Sequence, residues 1–248
     1  MATQQMMLGS GSEASDIIRS NLVLYLDAGK YNSYSGSGTA WNDMTAGNHH
    51  ATLIHSPTYS STSGGGSFTF DGSNDYATIP DATDFIFGTG EFTEEVWFKR
   101  TSSTGEEIAI ERGNSSSWQG TRMDDLNPKP THYTESTGSH EITSSASVGN
   151  DWVHYVLTKY TTNNGGVSKK FYKDSVYTSG RFDFGIGSTW QPKGTSVSSD
   201  YNLHIAGADS SKRFTGEIAI IRIYKGKALS DAEVLQHYNA EKTRFGHS

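Results

Sequence analysis

The 248-residue chain contains no cysteine. This excludes disulfide staples and thiolate metal centres, and leaves no sign of folding in an oxidising compartment. Proline is scarce, with 5 residues against 27 glycines, so turns must be built from Gly, Ser, Thr and Asn. No stretch approaches the ~20 consecutive apolar residues that span a bilayer, and no membrane insertion is expected. The opening Met1-Ala-Thr-Gln-Gln-Met6-Met7-Leu8 lacks the basic start and long apolar core of a secretory signal. Basic clusters are missing too: Lys169-Lys170 is the longest basic run, the formal charge is −7 and the pI is near 5.7. Neutralising a phosphate backbone needs clustered Lys and Arg, so nucleic acid is not an expected partner.

What remains is a chain of short aromatic and β-branched runs separated by polar turns; 33% of residues are hydrophobic and 12% aromatic. Period-2 patterning begins at Leu22, Leu24 and Leu26, with Val23 and Tyr25 opposite, which reads as a strand covered on both faces. Phe68, Phe70, Tyr76 and Thr78 flank Asp71-Gly-Ser-Asn-Asp75, a strand, a tight turn and a strand. Further strands are expected from Phe92 to Arg100, Ile108 to Glu111, Trp152 to Tyr160, Lys170 to Tyr177, Leu203 to Ala206 and Glu217 to Tyr224, with residues 183–199 a loop around Trp190. Trp41 and Trp97 are large enough to pack between two sheets. One helix follows. Ser230 and Glu233 form a capping box, and Val234, Leu235 and Tyr238 supply its apolar stripe. Residues 1–16 read as an N-terminal arm, either a frayed terminus or an extended arm that orders on a neighbouring subunit, and 17–248 as a single domain, a size that buries roughly 70–75% of the extended-chain surface without covalent help.

Four segments in family order resemble the laminin-G-like, concanavalin A-type lectin/glucanase domains of bacteriophage and bacterial surface proteins. They are Leu22-Val-Leu-Tyr-Leu-Asp27 with Trp41-Asn-Asp43 and Gly47-Asn48; Phe68-Thr-Phe-Asp71-Gly72-Ser-Asn-Asp75-Tyr76; Phe87-Gly-Thr-Gly90-Glu-Phe92-Thr-Glu-Glu-Val-Trp97; and Gly216-Glu-Ile-Ala-Ile-Ile-Arg222-Ile-Tyr224 running into Lys227-Ala-Leu229-Ser230. The resemblance spans about residues 20 to 245 and implies an all-β fold: a concanavalin A-like jelly-roll β-sandwich of two antiparallel sheets, with one short C-terminal helix and the N-terminal arm. It says less about ligand, since one fold hosts many functions. The opening residues are similar to those of marine phage structural proteins. That likeness implies a virion component assembled in a host cytoplasm (a capsid decoration, fibre or tail appendage). Its arm, through Met6, Met7 and Leu8, would contact other virion proteins or copies of itself.

Catalysis is the weaker expectation. Glucanases of this fold place paired carboxylates on one strand. The nearest match here is Glu107-Ile-Ala-Ile-Glu111, where period 2 puts Glu107, Ala109 and Glu111 on one face but Ala109 stands in place of an orienting Asp. Glu94 and Glu95 are adjacent and point to opposite faces, and His49, His50 and His55 lack zinc-site spacing. No cofactor is required, although many members of the fold hold calcium with loop oxygens; Asp27, Asp43, Asp71 and Asp75 are the candidates. Binding a host or environmental glycan needs an aromatic platform beside amide or carboxylate groups, for which Trp190, Trp118, Tyr133, Tyr201 and Asp209 are the candidates. Trp190 serves equally as an inward-folded loop anchor. The expected role is a non-catalytic virion structural or adhesion protein. The alternatives are a free carbohydrate-binding module of a bacterial surface protein and a glucanase-type hydrolase.

Overall fold

The computed structural model describes residues 17–87, 90–101, 107–114, 117–123, 130–136, 138–139, 142–143, 149–161, 167–178, 201–207 and 212–248; for 108, 113–114, 117–123, 130–136, 138–139, 142–143 and 167 it describes the backbone alone. The arm with Met6, Met7 and Leu8 lies outside the described residues, as do Trp190 and Asp209.

The strands in chain order are β1 (Leu22–Asp27), β2 (Ala40–Trp41), β3 (Ala51–Ile54), β4 (Thr58–Ser60), β5 (Ser67–Asp71), β6 (Tyr76–Ile79), β7 (Phe92–Arg100), β8 (Glu107–Asn114), β9 (Ser117–Met123), β10 (Pro130–Ser136), β11 (Gly138–Ser139) and β12 (Ile142–Thr143). They continue with β13 (Trp152–Thr161), β14 (Val167–Lys173), β15 (Val176–Thr178), β16 (Leu203–Ile205) and β17 (Thr215–Lys225); helix α1 (Asp231–Glu241) and a 3-10 turn (Lys242–Phe245) close the chain. Among the described residues they form two antiparallel sheets. The eight-stranded sheet runs β15-β14-β13-β7-β17-β5-β4, with β1 also paired to β17, and the nine-stranded sheet runs β11-β10-β9-β8-β16-β6-β3-β2, with β12 also paired to β10. The result is the expected jelly-roll-like all-β sandwich.

Alternation decides what fills it. Leu24, Leu26, Phe68, Phe70, Val96, Phe98 and Ile221 from one sheet meet Trp41, Ala77, Ile79, Ile110, Leu203 and Ile205 from the other in one buried cluster. Each large apolar side chain so buried contributes roughly 1.5–3 kcal/mol. Trp41 packs between the sheets with its ring 4.9 Å from that of Phe68. Trp97 does not. It points outward from β7 and is covered by the C-terminal turn, stacked on Phe245 at 4.0 Å.

The Asp71–Asp75 turn joins strands of different sheets and is no hairpin: β5 pairs with β4 and β17, β6 with β3 and β16. Asp71 Oδ1 accepts the backbone N–H groups of Ser73, Asn74 and Asp75, which folds the crossover tightly. Gly72 sits there at φ +72°, and a Cβ on it would lie 2.0 Å from Thr215 Oγ1.

The capping box forms as expected: Ser230 Oγ accepts from Glu233 N–H, and Glu233 Oε2 accepts from Ser230 N–H. The apolar stripe is only partly right. Val234 is buried, but Leu235 is 47% exposed, while His237 and Glu241 take the buried face. The sheet under the helix explains this, because it presents Glu95 and Arg222. Glu95 Oε1 accepts from Arg222 Nη1 at 2.8 Å and bonds His154 Nε2 at 2.8 Å; its Oε2 bonds His237 Nδ1 at 3.0 Å. Glu241 accepts from both Arg222 Nη groups and from Trp97 Nε1. Burial opposes ionisation of Glu95, but Arg222 and the histidine hydrogen bonds outweigh it and hold the carboxyl well below the usual range.

Candidate functional site

A sandwich has two outer faces, and here they differ. The outer face of the eight-stranded sheet is largely closed by α1 and the C-terminal turn over Tyr25, Glu95, Trp97, His154 and Arg222, all buried. A cleft of about 440 Å³ beside this cover is lined by Lys99, Asp151, Trp152, Lys173, Asp174 and His247, among others. Its groups are mostly engaged: His247 Nε2 donates to the Trp152 carbonyl, Lys99 pairs with Glu217 and Asp174 accepts from His154 N–H.

The outer face of the nine-stranded sheet carries no such cover among the described residues. Its register builds a row directly across six strands: Thr52 opposite Thr78, Thr78 opposite His204, His204 opposite Glu111, Glu111 opposite Gly120 and Gly120 opposite Tyr133. Five interstrand spacings make this row on the order of 24 Å long. Alternation puts Tyr76, two residues before Thr78, on the same face, and Trp118, opposite Gly113, at a register position of that face.

The centre of the row has unspent hydrogen-bonding capacity. His204 is half-buried and its side chain makes no hydrogen bond to the described residues; its ring meets the Tyr76 ring edge-on at 5.9 Å. Thr78 Oγ1 is buried and has no partner among the described residues. Arg213 lies over Tyr76, 4.9 Å from the ring centroid, and donates to the Gly207 carbonyl at 3.0 Å. Burial lowers the proton affinity of His204, Glu111 opposes that and Arg213 adds to it, so the net shift is downward.

The same strand removes the glucanase arrangement. A bulge between Ile108 and Ile110 on β8 breaks the alternation that period 2 assumed. Glu107 therefore turns inward, buried against Arg100, and Glu111 turns outward beside His204. The two carboxylates face opposite sides of the sheet and cannot serve as nucleophile and acid.

The calcium candidates are committed elsewhere. Asp27 is buried and both its oxygens pair with Arg244. Asp43 Oδ1 accepts from Tyr25 and Thr45 N–H, and its Oδ2 accepts from Thr45 Oγ1 and His49 N–H. Three backbone N–H groups hold the Asp71 carboxyl below its ordinary range; burial and the Asp71 charge push Asp75 up. No group of three or more Asp, Glu or His converges among the described residues, so these four do not fit a calcium site.

Of the glycan candidates, Trp118 and Tyr133 fall at register positions of the open face, and Tyr201 is half-buried just ahead of β16. Trp190 and Asp209 lie outside the described residues. Tyr76, Thr78, His204 and Arg213 were missed. Leu203-His204-Ile205 does carry an alternating signal, but three residues are too short a window to read it with assurance.

The fold has many solved relatives. Domain 4 of AbnA, an extracellular arabinanase from Geobacillus stearothermophilus solved with arabinotriose, superposes at TM-score 0.64 and 16% identity, covering 88% of this chain and 98% of that domain. The binding domain of Paraclostridial Mosquitocidal Protein 1 gives TM-score 0.64 at 14% identity over 92% of this chain and 55% of the other. The receptor binding domain of botulinum neurotoxin D gives 0.63 at 13% identity, over 88% and 52%. The chain thus spans nearly all of the first and about half of the other two. No curated protein matches the sequence significantly. Residues 70–235 match the sequence profile of the concanavalin A-like lectin/glucanases, and the chain belongs to that superfamily.

Proposed function

We propose that this chain is a non-catalytic carbohydrate-binding module whose glycan lies on the outer face of the nine-stranded sheet. One observation carries the reading: that face sets Tyr76, Thr78, His204 and Glu111 side by side, with the nitrogens of His204 and the hydroxyl of Thr78 unspent. A sugar hydroxyl both donates and accepts, so an imidazole, a carboxylate and a threonine hydroxyl in one row suit it. The Tyr76 ring adds apolar area for a sugar face. Domain 4 of the arabinanase, solved with arabinotriose, supports a carbohydrate ligand in kind.

The test is affinity electrophoresis through gels containing soluble arabinan, xylan, galactan or mixed-linkage β-glucan. At least one should retard the protein, and Tyr76→Ala and His204→Ala should each weaken that retardation about 5- to 100-fold, the range of losing one or two good contacts. Binding that survives both substitutions, or chemical shifts confined to the cleft around Trp152, would sink the proposal.

Placement in a virion is the finer reading. Only the opening residues support it, and it is a proposal about assembly separate from the sugar face. Light scattering of the full chain and of the chain lacking residues 1–16 tests it: loss of an oligomer on truncation supports an assembly arm, and equal masses count against one.

A further inference from the structure

The open face holds a titratable group at its centre, and what surrounds that group sets a direction for its effect. His204 is met by Glu111 from β8, by Thr78 and Tyr76 from β6, and by Arg213 from the segment leading into β17. His55 and Asp75 stand one step further out, around Tyr76 and Arg213. The ring is half-buried and makes no hydrogen bond to the described residues, so a ligand on this face covers it further and takes up its nitrogens. Neutral imidazole offers one donor and one acceptor; imidazolium offers two donors and a charge. Covering a charged ring that already has Arg213 as a neighbour costs more than covering a neutral one.

We infer that His204 makes this face release its glycan in acid. The inference rests on the proposed sugar-binding reading and adds regulation to it. Bound ligand favours the neutral ring, so protons and ligand compete. By reciprocity the ligand must lower the proton affinity of His204 by the same factor that protonation lowers ligand affinity. The expected affinity loss on protonation is about three- to tenfold, the size of one modest charged contact. Burial already pulls His204 downward in the free protein, which keeps the ring neutral at neutral pH and places the loss on the acid side.

The experiment uses the full chain and whichever of the four polysaccharides retards it at pH 7.5. Retardation is measured from pH 8 to pH 5 for wild type and His204→Gln, and the His204 ring resonances are titrated with and without the corresponding oligosaccharide. Weaker wild-type binding in acid, a flat profile for His204→Gln and a titration displaced to lower pH by the sugar bear the inference out. A flat wild-type profile, an unchanged slope in His204→Gln, or a titration unmoved by bound sugar overturns it while leaving the sugar site standing. Absence of retardation by all four at every pH overturns the underlying reading as well. The wild-type titration does not depend on the variant folding.

Discussion

Removing Arg222 should take from a buried charge network the guanidinium that bridges its two carboxylates, with a cost that depends on pH in a defined way. Arg222 is fully buried, donates to Glu95 Oε1, to both Glu241 oxygens and to Tyr25 Oη, and lies 4.5 Å from the centre of the Tyr25 ring. Arg222→Met keeps the bulk but leaves Glu95 with only His154 and His237 and Glu241 with only Trp97 Nε1 among the side-chain partners described. Breaking a buried pair by removing one partner typically costs about 3–5 kcal/mol. At roughly 2–4 °C per kcal/mol for a domain of this size, Tm should fall by about 6–20 °C at pH 7.5. In the wild type the depressed Glu95 carboxyl adds stability that is present above its unfolded value and lost as pH falls through the lower folded one, in the strongly acid range. Without the guanidinium, only His154 and His237 oppose burial, and the Glu95 carboxyl rises from its wild-type position. The folded variant then takes up its proton at a higher pH than folded wild type does. The gap in Tm between wild type and variant should therefore narrow from pH 7.5 to pH 5, and Glu95→Gln added to Arg222→Met should recover part of the loss at pH 7.5. A loss under about 1 kcal/mol, or a gap equal at both pH values, would refute the assigned network.

Ser230→Ala removes the hydroxyl of the capping box and should cost about 1 kcal/mol by chemical denaturation, with sugar binding unchanged. Gly72→Ala forces a side chain into φ +72° against Thr215 and should cost about 1–3 kcal/mol; tolerance without loss would mean that the crossover relaxes. Lys159 and Lys169 are cross-strand partners facing the interior, and burial brings their amines down to about 8 and about 7. A lysine lowered on folding binds its proton better when unfolded, so stability should rise with pH from about 7 to 10, by at most about 1.4 kcal/mol per unit for each proton. Lys169→Met should flatten that rise in urea titrations at pH 7, 8 and 9.

How far the sequence reaches is clearest where one rule met a second one. Period 2 located β1, β7, β13 and β17 because each is long and flanked by polar turns. The same rule misplaced Glu107 and Glu111, since one extra residue at a bulge reverses every side chain beyond it and leaves no compositional trace. Helical periodicity found α1 from its cap but assigned Leu235 inward. The buried face was chosen by the polar surface of β7 and β17, which a scan of the helix alone does not contain. Trp97 was read as sandwich core from its size, yet its strand parity turns it outward, under Phe245.

The location of the proposed site follows from chain order. Helix α1 follows β17 with a short connection, and β17 is an interior strand of the eight-stranded sheet, paired with β7 on one side and with β5 and β1 on the other. A helix so tethered reaches the outer face of its own sheet most directly. Its landing is registered by Ser230, by Asp231 accepting from Tyr172 Oη, and by the Glu95–Arg222–Glu241 network. The N-terminal side joins this cover: Ile18 donates its N–H to His237 Nε2 and accepts from Tyr224 Oη. His237 must then carry its proton on Nδ1 and donate it to Glu95, which fixes a neutral tautomer at the centre of the seal. Most polar groups on that face find partners within the chain, Arg222 Nε and His154 Nδ1 excepted, whereas on the opposite face Thr78 Oγ1 and the His204 ring find none among the described residues. Buried or half-buried polar groups left without partners are costly unless something meets them, and the hydroxyls of the proposed glycan would meet these two.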